Sequence, residues 1–233
     1  MKKTIIAVLC TLAAIGCTCS FDFNSGDGVT MKGKHVRCKG PVVQEEIEVT
    51  GFDQIVINGS ADLKYVQTPG EWGVEVEANQ EVFQYLDFHV EDSVLYLETV
   101  DHVQIKAEEF NIFIGSPSLK NIVVNGAADA SVISIEQEDN LNITVNGAGD
   151  LELQNITVPT LSCEVNGAGD IEATGLKVGH LSININGAGD VELSGRADSA
   201  TFSVSGAGDI DARGLECPKI EKNKAGLARI RTR

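Results

Sequence analysis

Carboxylate side chains recur along the second half of this 233-residue chain at a nearly constant spacing. A first column comprises Asp129, Asp150, Asp170, Asp190 and Asp209, and a second column, two residues further on, comprises Ser131, Glu152, Glu172, Glu192 and Asp211. Calcium takes roughly six to eight oxygen ligands, so carboxylates stacked by a fold could bind it. The candidate metal ligands are Asp150, Asp170, Asp190 and Asp209; no other cofactor is expected.

The same aspartates have a structural interpretation. Each could cap its own glycine-rich bend through side-chain to backbone hydrogen bonds, leaving the glutamates in solvent. Paired carboxylates are also the tools of glycoside hydrolases, but catalysis needs one distinctive constellation, and here every repeat carries the same residues. Four histidines are scattered without catalytic or metal-binding spacing: His35, His89, His102 and His180. We therefore expect no enzyme and no catalytic residues.

A recurring pentapeptide positions these carboxylates. It reads NGAAD at 125–129, NGAGD at 146–150, 166–170 and 186–190, and SGAGD at 205–209, with steps of 21, 20, 20 and 19 residues. An isolated copy, NGSAD, stands at 58–62. A fixed step near 20 residues is typical of a stacked repeat.

Each repeat alternates apolar and polar residues on both sides of its glycines. Leu181, Ile183 and Ile185 precede one bend, and Val191 and Leu193 follow it. This alternation predicts two half-buried strands joined by a bend. Glycine suits the bend because it adopts positive φ and has no side chain to strike a neighbouring coil. The structural glycines are Gly147, Gly149, Gly167, Gly169, Gly187, Gly189, Gly206 and Gly208.

Alignment of the repeats gives columns of apolar residues. One column holds Ile122, Ile143, Cys163, Ile183 and Phe202. We therefore predict that Cys163 is a core side chain and not a nucleophile. Stacked coils bury such columns in one continuous core, so we predict an all-β, right-handed parallel β-helix (solenoid) with coils of about 20 residues. A series of antiparallel hairpins with the pentapeptide at each tip is the alternative.

The start of the chain has export features. Two lysines, an apolar run and Cys17 predict a signal peptide over 1–16, and Ala14-Ile15-Gly16-Cys17 resembles a bacterial lipobox. Lipidation of Cys17 followed by a tether over 17–40 would anchor the protein to a membrane. The alternative is a plain secreted protein cut near Cys17.

Residues 41–233 are expected to form a single solenoid domain, with regular repeats over about 119–213. The less regular part, 41–118, predicts an inserted antiparallel hairpin region that caps one end. We expect one hairpin pairing 62–66 with 74–77 around the turn at Thr68–Glu71, a second pairing 88–90 with 94–97, and a helical turn near 81–86. A last strand at 227–230 could cap the other end.

Composition limits the partners. The formal net charge of −16 disfavours nucleic acids and anionic surfaces. Among six cysteines, Cys38 and Cys217 are the plausible disulfide partners, although nothing in the sequence requires that they pair.

The G-[AS]-[GA]-D turns after apolar strands, the segment Gly51-Phe52-Asp53-Gln54-Ile55 and the export signal together resemble the family "putative auto-transporter adhesin, head GIN domain". The resemblance covers residues 45–213. It implies an all-β solenoid-like fold, export, often with a lipid anchor, and loosely adhesion, and it brings no catalytic residues.

The sequence thus predicts a non-enzymatic lipoprotein of the cell envelope that acts in adhesion or surface interaction, anchored in the outer membrane or at the surface of a Gram-negative bacterium. The alternative is a periplasm-facing module that binds a glycan or calcium. Trp72 is the aromatic candidate for a glycan platform. We expect the ligand of this protein to be another protein or a glycan.

Overall fold

The computed structural model describes residues 35–100 and 103–233, which are almost entirely β-structure. The signal peptide, Cys17 and most of the tether lie outside the described residues. The strands are β1 (His35–Arg37), β2 (Val42–Ile47), β3 (Gln54–Gly59), β4 (Asp62–Gln67), β5 (Gly73–Asn79), β6 (Leu86–Glu91), β7 (Val94–Thr99), β8 (Gln104–Lys106), β9 (Phe110–Ser116), β10 (Asn121–Ala127), β11 (Ala130–Glu136), β12 (Leu141–Ala148), β13 (Leu151–Ala168), β14 (Ile171–Ala188), β15 (Val191–Glu216) and β16 (Ile220–Thr232).

The repeats stack in parallel register, which confirms the solenoid and excludes the series of hairpins. Asn146 pairs with Asn125 and Asn166, and the neighbouring glycines pair likewise. The isolated copy belongs to the same stack, because Asn58 pairs with Asn125. The solenoid has about six turns of about 20 residues. We call the sheet before the pentapeptide face A and the sheet after it face B.

A further corner divides each coil after face B. Positive φ occurs at Ser134, Asn155, Gly175 and Gly195, between the face B strand and a short third side. In the last of these coils the corner lies at Gly195.

The apolar columns form one continuous core. Ile143 pairs with Cys163, Cys163 with Ile183, and Ile183 with Phe202, and all four are essentially inaccessible to solvent. Burial of these alternating side chains is the dominant stabilising contribution, since one repeat alone could not cover its own apolar face.

The N-terminal end carries the antiparallel strands. β2 pairs with β5, β5 with β9, and β6 with β7, all antiparallel. The predicted hairpin of β6 with β7 is confirmed, and the helical turn is a 3-10 helix over Gln80–Tyr85. The predicted hairpin of β4 with β5 is wrong: β9 lies between them, parallel to β4 and antiparallel to β5.

The C-terminal end is formed by β16, which pairs with β15 and with no other described strand. Its residues 220–224 continue face A, residues 225–229 pair with the pentapeptide at 205–209, and residues 230–232 continue face B. Lys222 and Lys224 pair with the core residues Phe202 and Val204, so lysines occupy the core columns in the last coil. The Lys222 ammonium donates to Thr232 Oγ1 at 2.7 Å. The predicted capping strand is therefore present, and its lysines lie at the C-terminal end of the core columns.

Two further findings concern the described residues. No disulfide joins Cys38 to Cys217. Within 35–100 and 103–233, no helix is long and apolar enough to cross a membrane.

Candidate ligand-binding groove

A groove of about 850 Å³ runs along face B between the two carboxylate columns. It crosses eight stacked strand segments from β9 to β16, so it is roughly 34 Å long at the usual strand spacing of ~4.8 Å. Its floor contains the backbone around Leu151 and Ile171, whose side chains point into the core. The lining side chains that carry charge are Asp62, Lys64, Asp129, Asp150, Glu152, Asp170, Glu172, Asp190, Glu192, Asp209, Asp211 and Arg231.

The aspartate column is a hydrogen-bonded ladder. The Asp170 backbone N–H donates to Asp150 Oδ1 at 2.9 Å, and Asp190 N–H donates to Asp170 Oδ1 at 2.7 Å. Asp150 and Asp209 donate in the same way to Asp129 and Asp190. Each carboxylate therefore caps the bend of the following coil and not its own. A carboxylate that accepts a backbone N–H makes a strong, charge-assisted hydrogen bond.

The second column lies in a different environment. Glu152 accepts from Ser131 Oγ at 3.2 Å and from Gln154, both at the surface. Glu172 pairs in register with Glu152 and with Glu192, and Glu172 and Glu192 are exposed. These glutamates contribute negative charge to the groove without being needed for the aspartate ladder.

Asparagines form a parallel ladder on face A, at the other side of the bend. Nδ2 of Asn146, Asn166 and Asn186 donates to the preceding asparagine's Oδ1 at 2.9, 3.0 and 3.0 Å. Asn125 donates to Asn58, whose own amide donates to Glu98. Such ladders fix the register of successive coils.

Arginines close the C-terminal end of the groove. Arg231 donates to Asp209 Oδ2 at 2.9 Å, and Arg213 Nε donates to Asp211 Oδ1 at 2.9 Å. The hydrogen bonds from Arg213 lower the pKa of Asp211 to about 2. The last coil thus reverses the sign of both columns, since Arg229 and Arg231 pair in register with Asp209 and Asp211.

The other end leads to an aromatic surface. Lys64 and Phe113 line both the main groove and a smaller one of about 420 Å³ that contains Trp72. The Trp72 indole N–H donates to the Phe52 carbonyl at 2.8 Å, while 39% of the residue stays exposed. The ring of Trp72 is therefore both held in place by this hydrogen bond and accessible to a ligand.

The pentapeptide glycines lie directly over one another. A Cβ on Gly167, where φ is +146°, would lie 2.0 Å from the Gly147 carbonyl oxygen, and one on Gly169 would lie 2.1 Å from that of Gly149. The same contact recurs at Gly147, Gly149, Gly187, Gly189, Gly206 and Gly208. Each coil therefore rests on the backbone of the previous one.

Cys163 is fully buried in the core, as predicted from its column. Burial raises the pKa of its thiol to about 12, which keeps it protonated and unreactive at neutral pH. Among the residues the structure describes, no group of three or more His, Cys, Asp and Glu side chains is arranged to hold a metal ion. The candidate ligands Asp150, Asp170, Asp190 and Asp209 are instead arranged one per coil along the ladder.

Comparisons with known proteins agree with this architecture. A family model described as "Putative auto-transporter adhesin, head GIN domain" matches residues 51–177 and 159–233. A crystal structure from Parabacteroides distasonis described as a putative lipid binding protein is 25% identical with a TM-score of 0.78, covering 84% of each chain. A putative adhesin from the same species is 24% identical (TM-score 0.71), covering 85% of this chain and 84% of that one. One from Bacteroides fragilis is 18% identical (TM-score 0.66), covering 84% of this chain and 99% of that one. No curated protein matches the sequence.

Proposed function

We propose that this chain, which belongs to the family of the putative auto-transporter adhesin, head GIN domain, is a non-enzymatic surface protein of the bacterial envelope. We propose further that it binds its ligand along the groove of face B. The observation that carries the proposal is the groove itself, a long concave surface lined by the same two carboxylate columns in successive coils. A repeated surface of this kind suits an extended ligand, whereas catalysis would call for one coil that differs from the others.

The charge of the groove indicates the chemistry of that ligand. Carboxylates outnumber the basic residues Lys64 and Arg231 among the lining side chains. Low-dielectric walls lined by one sign of charge concentrate the field, so a cationic, extended ligand would be attracted. A Lys- and Arg-rich segment of a partner protein has the right charge and shape.

Neutralising the second column tests this proposal. We expect Glu172→Gln with Glu192→Gln to weaken binding of fluorescein-labelled octalysine about thirtyfold at low salt, because each of the two close charge pairs contributes about 1 kcal/mol in water. The aspartate ladder stays intact in this variant. Fluorescence anisotropy at several salt concentrations gives the affinities, and the difference should shrink as salt rises.

The control variant removes the same charge elsewhere. Glu48→Gln with Glu138→Gln alters two exposed carboxylates outside the groove and should leave the affinity nearly unchanged. Equal weakening by both variants would mean that only net charge matters, which contradicts a groove site. Binding of a neutral oligosaccharide that is lost in Trp72→Ala would instead favour the glycan-binding alternative, with the site at the aromatic surface.

We further propose that the protein is a lipoprotein anchored through Cys17. An apolar run ending in Ala14-Ile15-Gly16-Cys17 supports this proposal. A lipid on Cys17, followed by the segment up to β1, would hold the solenoid close to the membrane without spanning it.

Replacing the anchor residue is the corresponding experiment. We expect Cys17→Ser to abolish incorporation of an alkyne-labelled fatty acid and to move the protein from the membrane to the soluble fraction. Cys19→Ser, two residues away, should behave as the parent protein. Retention of label and membrane association in Cys17→Ser would refute the proposal.

A further inference from the structure

The two ends of the solenoid differ in charge. At the C-terminal end β16 carries Lys222, Lys224, Arg229 and Arg231 against a single Glu221. At the opposite end, β2 and β6 are the terminal strands of the sheet, and they carry Glu45, Glu46, Asp87 and Glu91 with no lysine or arginine. Among the strands of residues 35–100 and 103–233, each end strand pairs on one side only, so its outer backbone groups can pair with another strand.

The two most exposed large apolar residues lie on these same strands. Leu227 on β16 is 88% exposed and Val42 on β2 is 48% exposed. An apolar side chain on an unpaired strand edge favours association with another chain. Each end thus combines an open edge, an exposed apolar residue and a charge opposite to that of the other end.

The strand directions are compatible with end-to-end stacking. β9 is parallel to β4, β5 is antiparallel to β9, and β2 is antiparallel to β5, so β2 runs in the direction of the coils. The second half of β16, Leu227–Thr232, continues the end of the pentapeptide and the start of face B in that same direction. When one copy is placed behind another along the axis, these two segments meet as parallel strands of six residues each.

The register that pairs their full lengths also matches the side chains. Val42 then faces Leu227, and Glu46 faces Arg231. Val43, Glu45 and Ile47, which pair with core residues of β5, align with Ala228, Ile230 and Thr232 on the core side of β16. A shift of the register by one residue would align the core-side residues of β2 with the outward-facing residues of β16.

The core columns support the same arrangement. Lys222 and Lys224 lie over the C-terminal end of the core, and Glu45 continues a core column at the N-terminal end. These charges are of opposite sign, and they lie at the ends of face A and face B respectively. Two C-terminal ends, by contrast, would bring lysines together.

We infer that copies of this protein associate head to tail, with Leu227–Thr232 of one copy forming a parallel strand pair with Val42–Ile47 of the next. Such a contact uses different surfaces on the two partners and is therefore open-ended unless the rotation between copies closes a ring. The contact shares Arg231 with the C-terminal end of the groove of face B.

Cysteine cross-linking of the full chain in mild detergent tests the geometry. Val42 and Leu227 lie at opposite ends of one molecule, so the double variant Val42→Cys with Leu227→Cys can join the new cysteines only between copies. We expect mild oxidation to give a ladder of dimers, trimers and larger species on a non-reducing gel, above the background of the parent chain with its own cysteines. Dimers formed equally by Leu227→Cys alone would indicate symmetric pairing of C-terminal ends and would overturn the inference.

Charge exchange tests the register. Glu46→Arg and Arg231→Glu should each weaken association at least tenfold in sedimentation velocity, and the variant carrying both should regain it. Leu227→Lys, at a highly exposed position, should weaken association and leave the circular dichroism spectrum unchanged. A parent chain that stays monomeric at about 100 µM, where even contacts with a Kd near 100 µM would be half formed, would refute the proposal, and so would a charge-exchanged variant that fails to regain association.

Discussion

Gly167→Ala is expected to lower the free energy of unfolding by at least about 3 kcal/mol, since it combines backbone strain with overpacking. Its φ of +146° disfavours any residue with a Cβ, and that Cβ would lie 2.0 Å from the Gly147 carbonyl oxygen. Because the colliding atom belongs to the backbone of the neighbouring coil, no side-chain rotation can relieve the contact. The affected coil must move away from its neighbour, which breaks hydrogen bonds on both faces.

Gly59→Ala is the matched control. Gly59 occupies the same position of the first pentapeptide at φ +152°, yet a Cβ there meets nothing within 4 Å. Its substitution should cost about 1 kcal/mol, from backbone conformation alone. Urea unfolding followed by circular dichroism and Trp72 fluorescence gives both values. Equal losses would mean that conformation, and not contact between coils, accounts for the glycines.

Phe202→Ala is expected to destabilise the protein by about 3–5 kcal/mol, the usual cost of removing a buried phenylalanine. Phe202 is inaccessible to solvent and belongs to the column of Ile143, Cys163 and Ile183. Beyond it the column continues only to Lys222. The neighbours cannot collapse into the space, because each is held in register by its own strand pairs.

Phe113→Ala makes the same chemical change on the outer side. Phe113 lies half-buried on β9 and lines the groove. We expect a loss of about 1 kcal/mol, because much of its ring already contacts water. The same urea titration compares the two variants, and a loss at Phe113 as large as at Phe202 would contradict the assignment of the two faces.

The repeat made the architecture predictable. Period-2 alternation placed Ile143, Cys163 and Ile183 in one core column, and the nearly constant step aligned Asn146 with Asn166; both inferences are confirmed by the strand register. These predictions succeed because a stacked fold requires equivalent residues to have equivalent neighbours. The first turn was recoverable for the same reason, from NGSAD at 58–62.

The irregular part was less predictable. The turn at Thr68–Glu71 is present, with Thr68 Oγ1 donating to the Glu71 carbonyl at 2.9 Å. A local turn reverses the chain but does not determine which strand pairs with it. β9, more than 40 residues after β4, lies between β4 and β5, and nothing in the local sequence signals that long-range pairing.

The aspartates illustrate a similar limit at the site. Their spacing predicted a column, and their position beside glycine predicted bonds to a bend. It did not show that each carboxylate reaches the following coil, because that depends on the distance between coils and not on the repeat itself. The groove was likewise not foreseen, since its floor is backbone and its walls come from eight strand segments.

Contact between glycines of successive coils also bears on how such a protein can change over evolution. Insertion or loss of a single residue within either face would shift the side chains that follow on that face to its opposite side, and within the pentapeptide it would place a Cβ where only hydrogen fits. The corner after face B absorbs the differences between steps of 19, 20 and 21 residues. After duplication or deletion of a whole unit of about 20 residues, each side chain still stacks on the equivalent residue of the adjacent coil. Gene variation should therefore alter this protein in whole coils, each lengthening the groove by ~4.8 Å and adding a pair of carboxylates.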